Sequence, residues 1–149
     1  MYEYLYKMQP LNPHTLFSIF EKGDEEIYEE HNLTELLDNP YVLMGMVLRG
    51  IDNYHTMDLM HLKHFGDRYR EVRFKVRNQF YNKLFNYLNR IDITKLDSRY
   101  TITEEYNSDD IFSGLNVLLV YFEKREEYEK CGIIKRYQDL LNFEVDIVA

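Results

Sequence analysis

Three side chains able to ligate a metal, Asp58, His61 and His64, follow one another at three-residue spacing, with His55 just upstream. On a helix of 3.6 residues per turn these positions span roughly 120° of the circumference, so a carboxylate and two imidazoles could share one cation. That spread is wide for a single ion. The sequence also has neither HExxH nor the paired carboxylate–histidine pattern of di-iron bundles. Surface or capping histidines are the stronger reading, with no metal and no cofactor expected. Nucleophilic chemistry has less support still. The single cysteine, Cys131, reads as a packing residue between Lys130 and Gly132, and no serine stands in a GxSxG setting. Glycines at 23, 45, 50, 66, 114 and 132 form neither GxGxxG nor GxxxxGK[ST], which removes the nucleotide-binding classes that depend on those loops. The acidic stretch at 24–30 reads as a solvated face, and no two carboxylates form a recognisable general acid/base pair. The expectation is that the chain is not an enzyme.

Binding chemistry is better represented. Arg68, Arg70, Arg73, Lys75 and Arg77 alternate with Tyr69 and Phe74, and Phe80 and Tyr81 follow closely. Cations for phosphate contacts beside aromatics for stacking are what nucleic-acid binding uses. On a helical wheel only Arg70, Arg73 and Arg77 cluster, so a continuous phosphate-tracking stripe is not evident. The same arginines suit ion pairs with the acids elsewhere in the chain, or an acidic patch on another protein, since arginine and tyrosine are favoured at interface hot spots. Phe74, Tyr81 and Phe85 form an apolar stripe that serves either a second core layer or a partner, including a second copy of the chain.

Charge is unevenly distributed around this helix. The 149 residues carry a net charge of -8, which argues against broad affinity for nucleic acid. Residues 61–90 hold eight basic and two acidic side chains, so the other 10 basic and 24 acidic residues leave the remainder at -14. Apolar residues make up 45% of the chain, with nine Phe and fourteen Tyr, far too apolar and aromatic for intrinsic disorder. The length fits one domain, taken here as residues 1–149, with a core large enough to need no staple. A lone cysteine agrees with a reducing compartment. The first residues lack a basic and then long apolar leader, and the most apolar run, 41–48, is far shorter than the roughly twenty residues of a membrane span. A cytoplasmic protein without a membrane contact is expected.

Several elements must position these groups. Asn12-Pro13 and Asn39-Pro40 each place a capping residue before a proline suited to the first helical position, predicting helices over 13–23 and 40–50. The second is apolar nearly all round, as a central helix would be, with Gly45 inside it to permit close packing. Thr56 is a candidate cap for a further segment, 57–65, that stops at Gly66. Asp67 then opens the longest predicted helix. Along it Val72, Val76, Phe80, Leu84, Tyr87, Leu88 and Ile91 recur at helical spacing, the strongest periodic signal in the chain. Residues 92–107 look irregular, with a β-branched pattern at 100–103 that is echoed weakly at 143–147 and at the amino terminus. Ser108 and its acidic neighbours read as the cap of a helix through Leu115, Leu118, Leu119 and Phe122, and a turn near Arg125 leads into a last helix over 127–142.

This carboxy-terminal hairpin resembles the UVR motif, the short helical hairpin of UvrB and UvrC nucleotide-excision proteins, over residues 110–141. The resemblance rests on Glu126-Glu127, Tyr128-Glu129, Cys131-Gly132, Ile134, Lys135 and Leu141, and departs at Arg136 and Gln138. It implies protein association and no catalysis. A single tetratricopeptide unit is similar to the same stretch, through Leu118, Phe122, Tyr128 and Cys131. Both readings expect small residues at 131 and 132 to let two helices approach closely and Tyr128 to plug the gap beside the turn.

The sequence therefore predicts a mainly α fold, a compact bundle of about five to six helices ending in a hairpin, with room for a minor β ribbon. The expected function is a small non-enzymatic interaction or adaptor protein. Its Asn, Tyr, Lys and Ile usage suits an accessory protein of an AT-rich bacterium or its phage. A protein partner is the first expectation, with a homodimer also compatible. The alternative is a nucleic-acid-binding accessory factor using helix 68–81. The candidate binding residues are Arg70, Arg73, Arg77, Tyr69, Phe74, Tyr81, Phe85 and Tyr128.

Overall fold

A computed structural model describes residues 38–142. The helix expected at 13–23, the acidic stretch at 24–30 and the strand-like pattern at 143–147 lie outside the described residues. Five helices follow in order: α1 (Pro40–Phe65), α2 (Asp67–Arg90), α3 (Leu96–Glu105), α4 (Ser108–Lys124) and α5 (Tyr128–Leu141). Among the described residues there is no strand, and no helix is long and apolar enough to cross a membrane.

The start of α1 follows from its cap. Asn39 Oδ1 accepts from the backbone N–H of Tyr41 at 2.9 Å and of Val42 at 3.4 Å, and Pro40 occupies the first turn, where its missing N–H is harmless. The expected break between 50 and 57 is overturned, because α1 continues unbroken for 26 residues and is longer than α2, at 24. Thr56 does not cap; its hydroxyl donates to the Asp52 carbonyl at 3.3 Å. Asp52, Asn53 and Thr56 are weak helix formers, but Tyr54 and Met57 are buried among them, and that packing outweighs propensity. Gly66 ends α1 with φ of +53°, a region a side chain would strain, and its N–H donates to the Leu62 carbonyl at 2.9 Å. After this single residue the chain reverses into α2.

The β ribbon anticipated at 100–103 is helix instead. Thr101 and Thr103 turn their hydroxyls onto carbonyls one turn back, Asp97 and Arg99, both at 2.8 Å, while Ile102 is completely buried. Local hydroxyl bonds and one core anchor thus hold a β-branched segment in a helix. At α4 the cap falls one residue earlier than expected, with Asn107 Oδ1 accepting from Asp109 N–H at 2.8 Å.

The assembled bundle is compact and entirely helical among the described residues. At its centre α1 packs on α2, α3 and α4, with Leu43, Met44 and Val47 fully buried. Close approach depends on glycines: a Cβ on Gly50 would collide with Leu84 of α2, and one on Gly114 with Leu48 of α1. Gly45 sits under the Tyr106 hydroxyl, 2.6 Å from where its Cβ would be, and that hydroxyl donates to the Tyr41 carbonyl at 2.9 Å. The helical hairpin is present as α4 and α5, but two expected details are corrected. Gly132 faces open space, with nothing within 4 Å of a built Cβ, and Tyr128 is 67% exposed and plugs nothing. Cys131 alone makes the close contact, its Sγ 3.9 Å from the Leu119 carbonyl. The turn at 125–127 leaves no gap to fill, because the amides of Glu126 and Glu127 return to the carbonyls of Glu123 and Phe122 at 3.0 Å each.

Candidate functional site

Two i, i+4 series face each other across the α1–α2 interface. Tyr54 and Asp58 stand one turn apart on α1; Tyr69, Arg73 and Arg77 occupy successive turns of α2. Because the helices run antiparallel, Asp58 meets Arg73 and Tyr54 meets Arg77. The Asp58 carboxylate is 3% exposed and accepts from Arg73 through both oxygens, Nε to Oδ1 at 2.9 Å and Nη2 to Oδ2 at 2.6 Å. Tyr69 Oη adds a third donor at 2.7 Å, and Tyr54 Oη a long fourth at 3.5 Å. Arg77 Nε then donates to Tyr54 Oη at 3.1 Å, extending the network towards solvent. Burial opposes the charge on Asp58, but hydrogen bonds from Arg73 and Tyr69 and the Arg73 charge outweigh it and hold the carboxyl below its ordinary 3.8. The Tyr69 hydroxyl is pushed far up by burial and by its bond to Asp58, so it remains a donor.

The structure does not bring the three candidate ligands Asp58, His61 and His64 together as one group. A fork-on-fork arginine and a tyrosine already occupy the lone pairs a cation would need. His61 is 2% exposed, with its ring 5.2 Å from Tyr69 and 6.0 Å from Phe65, and burial lowers its pKa from 6.5. His64 and His55 are exposed. Among the described residues no three metal-ligating side chains gather.

The binding candidates divide between core and surface. Tyr69 is fully buried; Tyr81 stacks on Tyr121 at 4.4 Å, and Phe85 meets Phe122 edge-on at 5.7 Å. These three rings have internal partners and present no face for a base to stack on. The stripe Phe74, Tyr81 and Phe85 is thus core along its length except at Phe74, which is 58% exposed. Arg73 is spent on Asp58, and Arg70 forms an exposed ion pair with Asp67 at 2.6 Å. Arg77 is half-buried on its tyrosine, and Tyr128 stands free of the hairpin surface.

Sequence reasoning missed three contributors, all on the α4–α5 hairpin. Arg125 lays its guanidinium over the exposed Phe74 ring, 4.7 Å from the centroid, and pairs with Glu127 at 3.6 Å. Tyr121 stacks on Tyr81 and donates to Asn78 Oδ1 at 2.9 Å. Lys130 reaches the same interface, donating to Asn82 Oδ1 at 2.5 Å and lying 5.0 Å from the Phe122 ring. Only the pairing of a turn arginine with an exposed ring on another helix was hidden; the cation and the ring were both visible in the sequence.

A second surface lies on the outside of the hairpin, where Phe112, Val117 and Val120 of α4 are 47%, 40% and 39% exposed. On α5 the outward positions include Tyr128 and the open Gly132. Compared with known proteins, the chain matches no family model, no curated sequence and no solved structure.

Proposed function

We propose that the protein is a small non-enzymatic interaction or adaptor protein of the cytoplasm that binds another protein through its helical surfaces, foremost the outside of the α4–α5 hairpin. The observation carrying this reading is that Phe112, Val117, Val120 and Tyr128, four large apolar side chains on one hairpin, all point outward. Singly exposed apolar residues are ordinary, but several on one supersecondary unit are typical of an interaction surface. The exposed Gly132 supports the same face, since glycine in a helix interior is unfavourable by about 1 kcal/mol and no neighbour in the chain uses the space it leaves.

The test is affinity capture from an AT-rich bacterial host by the wild-type chain and by a Phe112→Ser, Val120→Asp variant, beside chromatography with light scattering. A protein retained by the first and lost by the second supports the reading, and equal retention removes the hairpin face. A mass twice that of the chain, abolished by the same variant, would make the partner a second copy.

A nucleic-acid-binding accessory role for helix 68–81 has one observation in its favour, the exposure of Arg70 beside Phe74. Two of its five cations, Arg70 and Arg73, already have carboxylates, which leaves Arg68, Lys75 and Arg77 without one among the described residues. Nucleic acid carried at low salt and shed at high salt, read from the absorbance ratio across the eluted peak, would promote it.

A further inference from the structure

One end of the bundle gathers the start of α1, the end of α2, the loop into α3 and the later turns of α5. Two bonds tie it together: Arg90 Nη2 donates to Asp38 Oδ1 at 2.6 Å, and Tyr137 Oη donates to the Ile91 carbonyl at 2.7 Å. Beside them lies an open cleft of about 440 Å³. The buried Ile91, Ile93 and Tyr137 form its floor and the half-buried Ile133 its wall, while the exposed Arg90 and Arg136 stand at its rim. The polar groups of the bordering loop are already satisfied within the chain. Arg99 Nη1 donates to the Ile93 and Thr94 carbonyls at 2.9 and 3.1 Å, and Asp92 Oδ1 accepts from the Thr94 N–H and hydroxyl at 3.2 and 2.5 Å. A small polar ligand would gain little here, whereas apolar side chains could fill the space without stranding a hydrogen bond. Leu96, two residues beyond Thr94, adds an exposed apolar neighbour.

The described chain begins at this cleft, because Asp38 is held by Arg90, one of the residues that line it. In the sequence Asp38 follows Leu33-Thr34-Glu35-Leu36-Leu37. A chain advances at most about 3.6 Å per residue, so Leu36 lies within about 7 Å of Asp38 and Leu33 within about 18 Å. The three leucines are spaced i, i+3 and i+4, the spacing of an apolar helical face that enters a groove. Three leucines are thus tethered at the mouth of an apolar cleft.

We propose that this cleft is the docking site of the chain's own segment 33–37, whose leucines cover Ile133 and the edges of Ile91, Ile93 and Tyr137. The tether decides between this occupant and a foreign one. A segment joined through so few residues meets the cleft at an effective concentration in the millimolar range, so an untethered apolar peptide of equal affinity competes poorly below that level. A second copy of the chain faces the same competitor. This contact goes beyond the interaction reading and does not depend on the outer face of the α4–α5 hairpin.

The test is alkylation by iodoacetamide of cysteines placed one at a time in the full chain. The buried Cys131 is the slow internal background and reports whether each variant is folded. Leu36→Cys should react about tenfold more slowly than Glu35→Cys, its neighbour in sequence, and the two should become equal in urea. Thr94→Cys, at the cleft, should react about tenfold faster once Leu33, Leu36 and Leu37 are all changed to serine. Tenfold protection at a millimolar effective concentration corresponds to a Kd on the order of 0.1 mM for the same segment added in trans. A fluorescein-labelled peptide of residues 29–38 should therefore bind the serine variant saturably in an anisotropy titration, and the native chain about tenfold more weakly. Equal rates at 35 and 36 would overturn the proposal without recourse to the serine variant. So would a Thr94→Cys rate unmoved by the serines while Cys131 stays slow, absence of saturable binding by the serine variant, or equal peptide binding by both chains. Protection that grows with protein concentration would assign the cleft to a second copy and overturn it as well.

Discussion

The α1–α2 hairpin adds to its apolar packing a buried carboxylate held among two arginines and two tyrosines, whereas the α4–α5 hairpin is joined by apolar side chains such as Leu118, Phe122, Cys131 and Ile134. The apolar seam is buried almost completely and the polar one only at its carboxylate and tyrosines, with Arg73 and Arg77 half-buried, and the two fail differently. An apolar seam loses stability in proportion to the volume removed from it. A polar seam is all or nothing, since one missing partner strands the others without water, while removal of the whole set can be nearly neutral. The first hairpin is therefore the more specific in register and the more vulnerable to a single change.

The sharpest way to break this contrast is by substitution at Asp58. Asp58→Ala should lower stability by about 3 kcal/mol in urea denaturation, the low end for a broken buried pair because the Arg73 side chain is 34% exposed and water can reach it. The combined change Asp58→Leu, Tyr69→Phe and Arg73→Leu should recover most of that loss. In the other hairpin Leu118→Ala should cost a similar amount, about 2–4 kcal/mol, and no polar substitution elsewhere should restore it. A loss below about 1 kcal/mol for Asp58→Ala would mean the clamp contributes little and the two seams are alike.

Acid should separate the hairpins next. The folded-state pKa of His61 is depressed below 6.5, so the stability that depends on its neutral form is complete above that pH and is lost as pH falls through the folded value. Asp58 is depressed below 3.8, and its contribution disappears at lower pH still. Both groups flank the α1–α2 seam, so hydrogen exchange at mildly acidic pH should accelerate there before it does in α4 and α5. A His61→Phe variant should flatten the first part of this response. Uniform acceleration across all five helices would remove the distinction.

The smallest expected effect lies on the apolar hairpin. Gly132→Ala places a methyl in open space on an exposed helix face and should raise stability by up to about 1 kcal/mol. If the same substitution also weakens partner capture, the space left by the glycine is occupied in the complex.

Regular periodicity and end signals were legible from sequence alone: α2 from its apolar recurrence, the start of α1 from Asn39-Pro40, the α4–α5 hairpin from its leucines and turn. Misreadings arose where local preference and packing disagree. Asp52, Asn53 and Thr56 resemble a helix end, and only the burial of Tyr54 and Met57 against α2 carries α1 through them. Tyr100 to Thr103 resemble a strand until hydroxyl bonds and the buried Ile102 are counted. At the candidate site, Asp58 and the arginines were both conspicuous, but their pairing depends on the Gly66 reversal that sets α2 antiparallel to α1. Tyr69, Tyr81 and Phe85 looked available because stacking aromatics and core aromatics share one composition, and only the positions of α1, over Tyr69, and of α4, over the other two, tell them apart.

The one-residue joint at Gly66 also bears on the order in which the molecule assembles. Asp58 and Tyr69 are eleven residues apart in the chain, so little loop entropy opposes their meeting. Tyr106 must find Tyr41 across 65 residues, and Tyr137 must find Ile91 across 46. Low contact order at the first hairpin makes it the natural nucleus. Changes near Gly66 should then slow folding, whereas changes at Tyr106 or Tyr137 should mainly hasten unfolding, leaving the lifetime of the native state in the keeping of its two most distant tyrosine ties.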